Sequence, residues 1–254
     1  MSKWMVLHRQ FVTLAALVLG FNCAPLLATD QVTIASDDGP PHMIADNNSG
    51  IDLDIVSEII KELGYSTHYI YAPLHRAKQL VIAKNADIVV PTFLQKDTPE
   101  LYYSAPIIRY KPTIFSLRSD NIEINDFTDL KGLRVVSFQG ATGYFGTAFE
   151  DAVKKANYRE LHDMSTFPSL LVNKRADVVV LDYYIFFYYF NQYHLDLEPT
   201  LISTHAVIPE VNAYAGFASK SLRDQFNHKL TQFLANNGDK KVIKRYLGEA
   251  IVKR

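Results

Sequence analysis

Gly50-Ile51-Asp52-Leu53-Asp54-Ile55-Val56-Ser57-Glu58-Ile59-Ile60-Lys61-Glu62-Leu63-Gly64 is the stretch that decides the fold class. Ile51, Ile55, Ile59 and Leu63 recur every four residues, with Val56 and Ile60 beside them. That is an apolar stripe of helical period, ended by Gly64. Strand-like runs flank it. Before it, residues 32–36 (VTIAS) form a short β-type run that the turn residues Asp37-Asp38-Gly39-Pro40-Pro41 stop. After it, residues 67–71 read as a strand, 76–84 as a helix with Ala77, Leu80 and Val81 inward, and 86–90 (ADIVV) as a buried strand. Strand–helix–strand–helix–strand is the pattern of an α/β layer.

The alternation restarts near residue 130. Residues 134–138 (RVVSF) read as a strand, followed by a glycine turn and a predicted helix over 144–156. A short helix over 169–174, a buried strand over 178–181 (VVVL) and a strongly aromatic helix over 183–193 come next. Residues 212–219 alternate like a strand, and helices are predicted over 222–236 and about 240–246. Two α/β lobes with a cleft between them fit this better than one sheet, and clefts between lobes are preferred ligand sites.

The 254 residues are long enough for one large domain or two small ones, and 48% hydrophobic with 21% charged residues is ordinary globular composition. A net charge of -1 supplies no basic field, so nucleic acid is not an expected partner. Lys3, His8 and Arg9 followed by the apolar run of residues 11–21 (FVTLAALVLGF) have the form of a cleavable secretory signal over residues 1–28, with Ala28 the best cleavage position. The expected product is a soluble exported monomer. The leader holds Trp4 and Cys23, the chain's one Trp and one Cys, so the rest can form no disulfide.

Several segments together resemble the family 3 extracellular solute-binding proteins, the periplasmic receptors of amino-acid-type ABC importers. They are Gly39-Pro40-Pro41-His42, Gly50-Ile51-Asp52-Leu53-Asp54-Ile55, Leu63-Gly64-Tyr65, Ala86-Asp87-Ile88-Val89-Val90 and Tyr103-Ser104-Ala105-Pro106, followed by Asp129-Leu130-Lys131-Gly132-Leu133-Arg134-Val135 and the run from Lys174 to Asp182. The resemblance implies a type II periplasmic-binding-protein fold, two α/β lobes joined by a two-crossover hinge. Lobe 1 would comprise residues 29–115 and 206–254, and lobe 2 residues 116–205. It also implies a small-molecule solute and an inner-membrane ABC permease as partners. One departure matters. Amino-acid binders of the family carry a Thr-x-x-Arg element whose Arg holds the ligand carboxylate, whereas this chain runs from Thr92 to Glu100 with Lys96 and Asp97 near that place. Lys lacks the planar fork that makes two parallel bonds to a carboxylate. Standard L-α-amino acids are therefore not the expected ligands.

Candidate ligand contacts follow from position. Asp37, Asp38 and His42 come after the first strand, at the end where open α/β sheets bind ligands. Arg76 opens a helix, where a cation opposes the helix dipole and so is not a capping choice; an anionic or zwitterionic solute would suit it. Thr92 and Phe93 follow the third strand and offer a hydroxyl and a ring face. Gly140, Thr142 and Tyr144 belong to a strand–helix turn whose backbone N–H groups can face an anion. Asp182 ends a buried strand before Tyr183, either as a ligand acceptor or as the N-cap of the next helix.

Catalytic patterns are missing. There is no Gly-x-Ser-x-Gly and no His-Glu-x-x-His, and the histidines at 42, 68, 75, 162, 194, 205 and 228 lack metal-ligand spacing. No cofactor, metal or enzymatic activity is expected. Two alternatives remain: an enzyme on the same scaffold, of the cyclohexadienyl-dehydratase kind with an acid such as Asp182, and a sensor that docks on a membrane receptor.

Overall fold

The computed structural model describes residues 30–94, 100–194 and 196–252. The expected leader and the Lys96-Asp97 pair lie outside the described residues. In chain order the elements are β1 (Gln31–Ser36), α1 (Ile51–Glu62), β2 (Ser66–Tyr71), α2 (Leu74–Ile82), β3 (Ile88–Thr92), β4 (Tyr102–Tyr103), β5 (Ile108–Tyr110), β6 (Pro112–Leu117) and β7 (Arg134–Phe138). They continue with α3 (Ala141–Phe145), α4 (Thr147–Val153), β8 (Asn157–Leu161), α5 (Phe167–Val172), β9 (Val178–Asp182), α6 (Tyr183–Tyr193) and β10 (Ile202–His205). β11 (Val211–Phe217), α7 (Lys220–Ala235), α8 (Gly238–Leu247) and α9 (Glu249–Val252) close the chain.

These strands form two sheets. The first runs β2-β1-β3-β11-β4, with β5 also paired to β11; the second runs β10-β6-β9-β7-β8. In the first, β1 pairs parallel with β2 and β3, and β11 closes antiparallel on β3. In the second, β7 pairs parallel with β8 and β9, and β6 inserts antiparallel between β9 and β10. Each lobe is thus a βαβ layer completed by strands from the hinge. β3 and β9 are buried along their whole length, as their unbroken apolar runs require.

The chain changes sheet twice, after β5 and again between β10 and β11. Only Lys111 separates β5 from β6, whereas residues 206–210 make the return. The expected switch after residue 115 would cut β6 in two. β6 lies wholly in the second sheet, paired along its length with β9, so the crossing is at Lys111. The predicted helix over 144–156 is two helices, because Gly146 stands at φ 81°, a conformation that interrupts a helix.

One apolar core runs through both lobes, from Ile34, Ile55 and Ile59 to Phe115, Phe186 and Phe190, with Val242 and Leu247 of α8 between them. The aromatic helix α6 buries Tyr184, Phe186, Phe187 and Phe190 in it, and Phe186 stacks on Phe115 at 3.9 Å. No helix among the described residues is long and apolar enough to cross a membrane.

Candidate functional site

The lobes meet at a buried charged cluster. Its first member is Asp52, in the first turn of α1 and 0% exposed. One turn on, Ile55, Val56 and Ile59 are buried on the same face, so the helical register that forms the core carries Asp52 inward with them. His42 reaches it from the loop after β1: Nδ1 lies 2.8 Å from Asp52 Oδ1, and Tyr110 of β5 donates its hydroxyl to Asp52 Oδ2 at 2.7 Å. The imidazole stacks on the Tyr110 ring at 4.0 Å.

The opposite side of the same imidazole faces the second lobe. His42 Nε2 lies 3.3 Å from Asp182 Oδ1, at the end of β9. That oxygen also accepts from the backbone N–H of Tyr184 at 2.8 Å and of Ile185 at 3.2 Å, which caps α6. Asp182 Oδ2 accepts from the N–H of Lys111 at 2.7 Å. Lobe 1, lobe 2 and the hinge crossing therefore converge on one carboxylate.

Electrostatics follow from this geometry. Burial alone would lower the His42 pKa, but the Asp52 charge and the hydrogen bonds to Asp182 and Asp52 outweigh it and raise it to about 10. Burial would raise Asp182, yet the His42 bond and charge and the backbone N–H groups hold it below the usual carboxylate value. Burial, then the Asp52 charge, pushes the Tyr110 phenol well above its usual value. At neutral pH His42 is an imidazolium beside the Asp182 carboxylate, and the Tyr110 hydroxyl stays a neutral phenol. Among the described residues no group of three or more His, Cys, Asp or Glu is arranged to hold a metal ion.

The other residues singled out by sequence are placed as follows. Asp37 accepts from the Leu74 N–H at 3.2 Å and so engages the first amide of α2; Asp38 is exposed and accepts from the Ala45 N–H at 3.0 Å. Arg76 is exposed in the first turn of α2, and no hydrogen bond or ion pair of its guanidinium is present among the described residues. Thr92 is buried at the end of β3, and Phe93, half-buried, packs edge-on against Tyr110 at 5.7 Å. Tyr144 is 49% exposed, its ring packs edge-on against Phe138 at 5.6 Å, and burial followed by the Asp182 charge raises its pKa. Tyr183 bonds the Ile251 carbonyl at 3.3 Å, and its ring lies 5.9 Å from Lys111 Nζ.

Gly140 and Thr142 require a correction. Their N–H groups were expected to face a solute anion. They donate instead to the protein's own Glu160, Gly140 to Oε2 at 2.8 Å and Thr142 to Oε1 at 3.2 Å. The Thr142 and Tyr158 hydroxyls complete that carboxylate's shell. Four donors hold Glu160 below its usual pKa even though burial opposes them.

Sequence inspection did not single out Asp52, Tyr110, Lys111 or Glu160 for the site. For Asp52 a signal existed: three, four and seven residues before Ile55, Val56 and Ile59, it lies on the apolar stripe itself. The other three have no local signal, because their partners are Asp52, Asp182 and the Gly140 turn, brought together only by the tertiary fold. A hinge cavity of about 540 Å³ lies nearby, bordered by Lys111, Pro112, Tyr183, Tyr184, Asp239 and Ile243 among others; of the expected site residues only Tyr183 reaches it.

This is the fold of the type II periplasmic binding proteins. An ancestral cationic amino acid solute-binding protein superposes with a TM-score of 0.69 at 19% identity, over 85% of this chain and 95% of that one. The L-cystine solute receptor of Neisseria gonorrhoeae, unliganded and open, gives 0.66 at 17% identity, over 89% and 96%. A histidine kinase sensor domain with similarity to periplasmic binding proteins gives 0.62 at 16% identity, over 86% and 96%. By sequence, no family model and no curated protein matches the chain.

Proposed function

We propose that the chain is a family 3 extracellular solute-binding protein. It captures a small polar solute, by preference an anionic or zwitterionic one, between its two lobes and presents it to an ABC-type permease from the periplasm. The observation that carries this is the pair of sheets joined by two crossings, with residues of both lobes and the hinge meeting at Asp182. Closure of such lobes over a ligand lets both contribute hydrogen bonds. The fold neighbours described as solute-binding proteins support the same role. Arg76 is the cation offered to the solute, since its guanidinium has no protein acceptor among the described residues.

Asp182 argues against the enzyme alternative in the form that uses it as a general acid. Such an acid needs a pKa near the working pH, and Asp182 is pushed the other way while accepting four hydrogen bonds. The sensor alternative has one observation in its favour, the fold shared with a histidine kinase sensor domain. A thermal-shift screen of organic acids, modified amino acids, small glycans and the twenty amino acids tests the proposal. A solute at about 100 times its dissociation constant adds roughly 2.7 kcal/mol to stability. The expected outcome is a clear shift with one non-amino-acid class, confirmed by calorimetry. No shift with any class would overturn solute binding.

A further inference from the structure

The geometry points to His42 as the residue that determines which charge a solute can bring to Asp182. An internal imidazolium holds the place between Asp52 and Asp182, so the cleft accepts organic anions and neutral polar solutes but none that brings an ammonium or guanidinium group there. This rests on the cleft being a solute site and narrows it to a substrate class. The argument starts with the ring nitrogens. Each faces a carboxylate oxygen, Asp52 at 2.8 Å and Asp182 at 3.3 Å. Asp182 is held as a carboxylate, which only accepts, so Nε2 carries hydrogen; donation from Nδ1 to Asp52 as well makes the ring a cation.

Acceptor capacity comes next. A carboxylate offers about four lone-pair sites. Asp182 meets His42 Nε2 and the N–H groups of Tyr184, Ile185 and Lys111. Asp52 meets His42 and the Tyr110 hydroxyl. An incoming ammonium would have to displace His42 from Asp182, leaving an imidazolium that is 1% exposed with one of its two acceptors gone. Loss of a partner from a buried charge is strongly unfavourable. Arg76, outside the cluster and without a protein acceptor among the described residues, then favours the anionic members of the class.

His42→Ala tests this on the full chain, because it removes the ring and keeps both carboxylates. Imidazole at pH 6 is the probe and melting temperature the readout. The expected result is a rise in the variant of roughly 3–5 °C at ten times the imidazole dissociation constant. Neither the wild type nor the double variant His42→Ala/Asp182→Asn should respond. Equal responses in all three proteins, or none in the single variant, would overturn the inference. Where the variant does not fold, side-chain nitrogen NMR of the wild type decides. Both His42 ring nitrogens protonated at pH 8 support it, and one bare nitrogen overturns it. Stabilisation of the wild type by putrescine or L-arginine that is lost in Asp182→Asn would overturn the substrate class while leaving solute binding intact. Stabilisation by no solute of any charge would instead overturn solute binding, and with it the class.

Discussion

His42 contributes to stability with a definite pH dependence. Its pKa is raised on folding from 6.5 to about 10, so its contribution is complete below pH 6.5 and is lost as pH rises toward 10. Asp182, lowered on folding, acts in the opposite direction: its contribution is present above the ordinary carboxylate value and is lost in acid. The melting temperature should therefore fall between pH 6.5 and 10, and His42→Gln should flatten that alkaline slope. Equal slopes in the two proteins would count against an imidazolium at this position. The substitution itself should cost about 3–5 kcal/mol at pH 6, the range for breaking a buried ion pair, measured by urea unfolding. Arg76 belongs to the same scale. Removing a charged hydrogen-bond donor is worth ~1.5–3 kcal/mol, so Arg76→Ala should weaken binding of the true solute by roughly ten- to a hundredfold with little change in melting temperature. Unchanged affinity would show that Arg76 is surface decoration.

Among the elements, α1 and α6 were the most legible in the sequence. The four-residue recurrence of isoleucines gave α1 its length, and the eight aromatic rings of residues 183–193 gave α6. The core strand runs 88–90 and 178–181 were likewise visible as unbroken apolar stretches. The strands with no such signal are β4, β5, β6, β8 and β10. β6 begins with Pro112 and contains Thr113 and Ser116, so it shows no clear apolar run; it is a strand because β9 and β10 flank it. Asp182 could be read in two ways, and the structure gives it the cap of α6 and the contact to His42 together. Gly140 and Thr142 were misjudged for a reason of the same kind. A turn rich in amides attracts an anion, but nothing local reveals that the anion is Glu160, eighteen and twenty residues away. Glu160→Ala should therefore destabilise the protein by roughly 0.5–1.5 kcal/mol, by removing the acceptor of the Gly140 and Thr142 donors. Inorganic phosphate or sulfate should recover part of that loss in the variant only. A variant as stable as the wild type would mean that water satisfies those donors.

At the scale of the whole molecule, the shared apolar core and the His42–Asp182 contact tie the lobes together. Solute-induced closure would be expected to shrink the radius of gyration by small-angle scattering when the true solute is added. Arg76→Ala at the same solute concentration should show less of that change. A radius insensitive to a solute that calorimetry shows to bind would indicate lobes already held in the bound arrangement.

The unequal lengths of the two crossings have a mechanical meaning. A link of one residue has no slack, and Lys111 is moreover anchored by its N–H to Asp182. The lobes cannot slide apart there, so relative movement is turning about that point, while the five residues 206–210 flex to follow. Displacement then scales with lever arm: groups beside Lys111 barely shift, and groups at the outer rims sweep the widest arcs. Because Cys23 is the sequence's single cysteine and lies in the leader region, a pair of cysteines placed at Lys84 in one lobe and Lys154 in the other would be the only thiols outside that region, and their separation would report the angle.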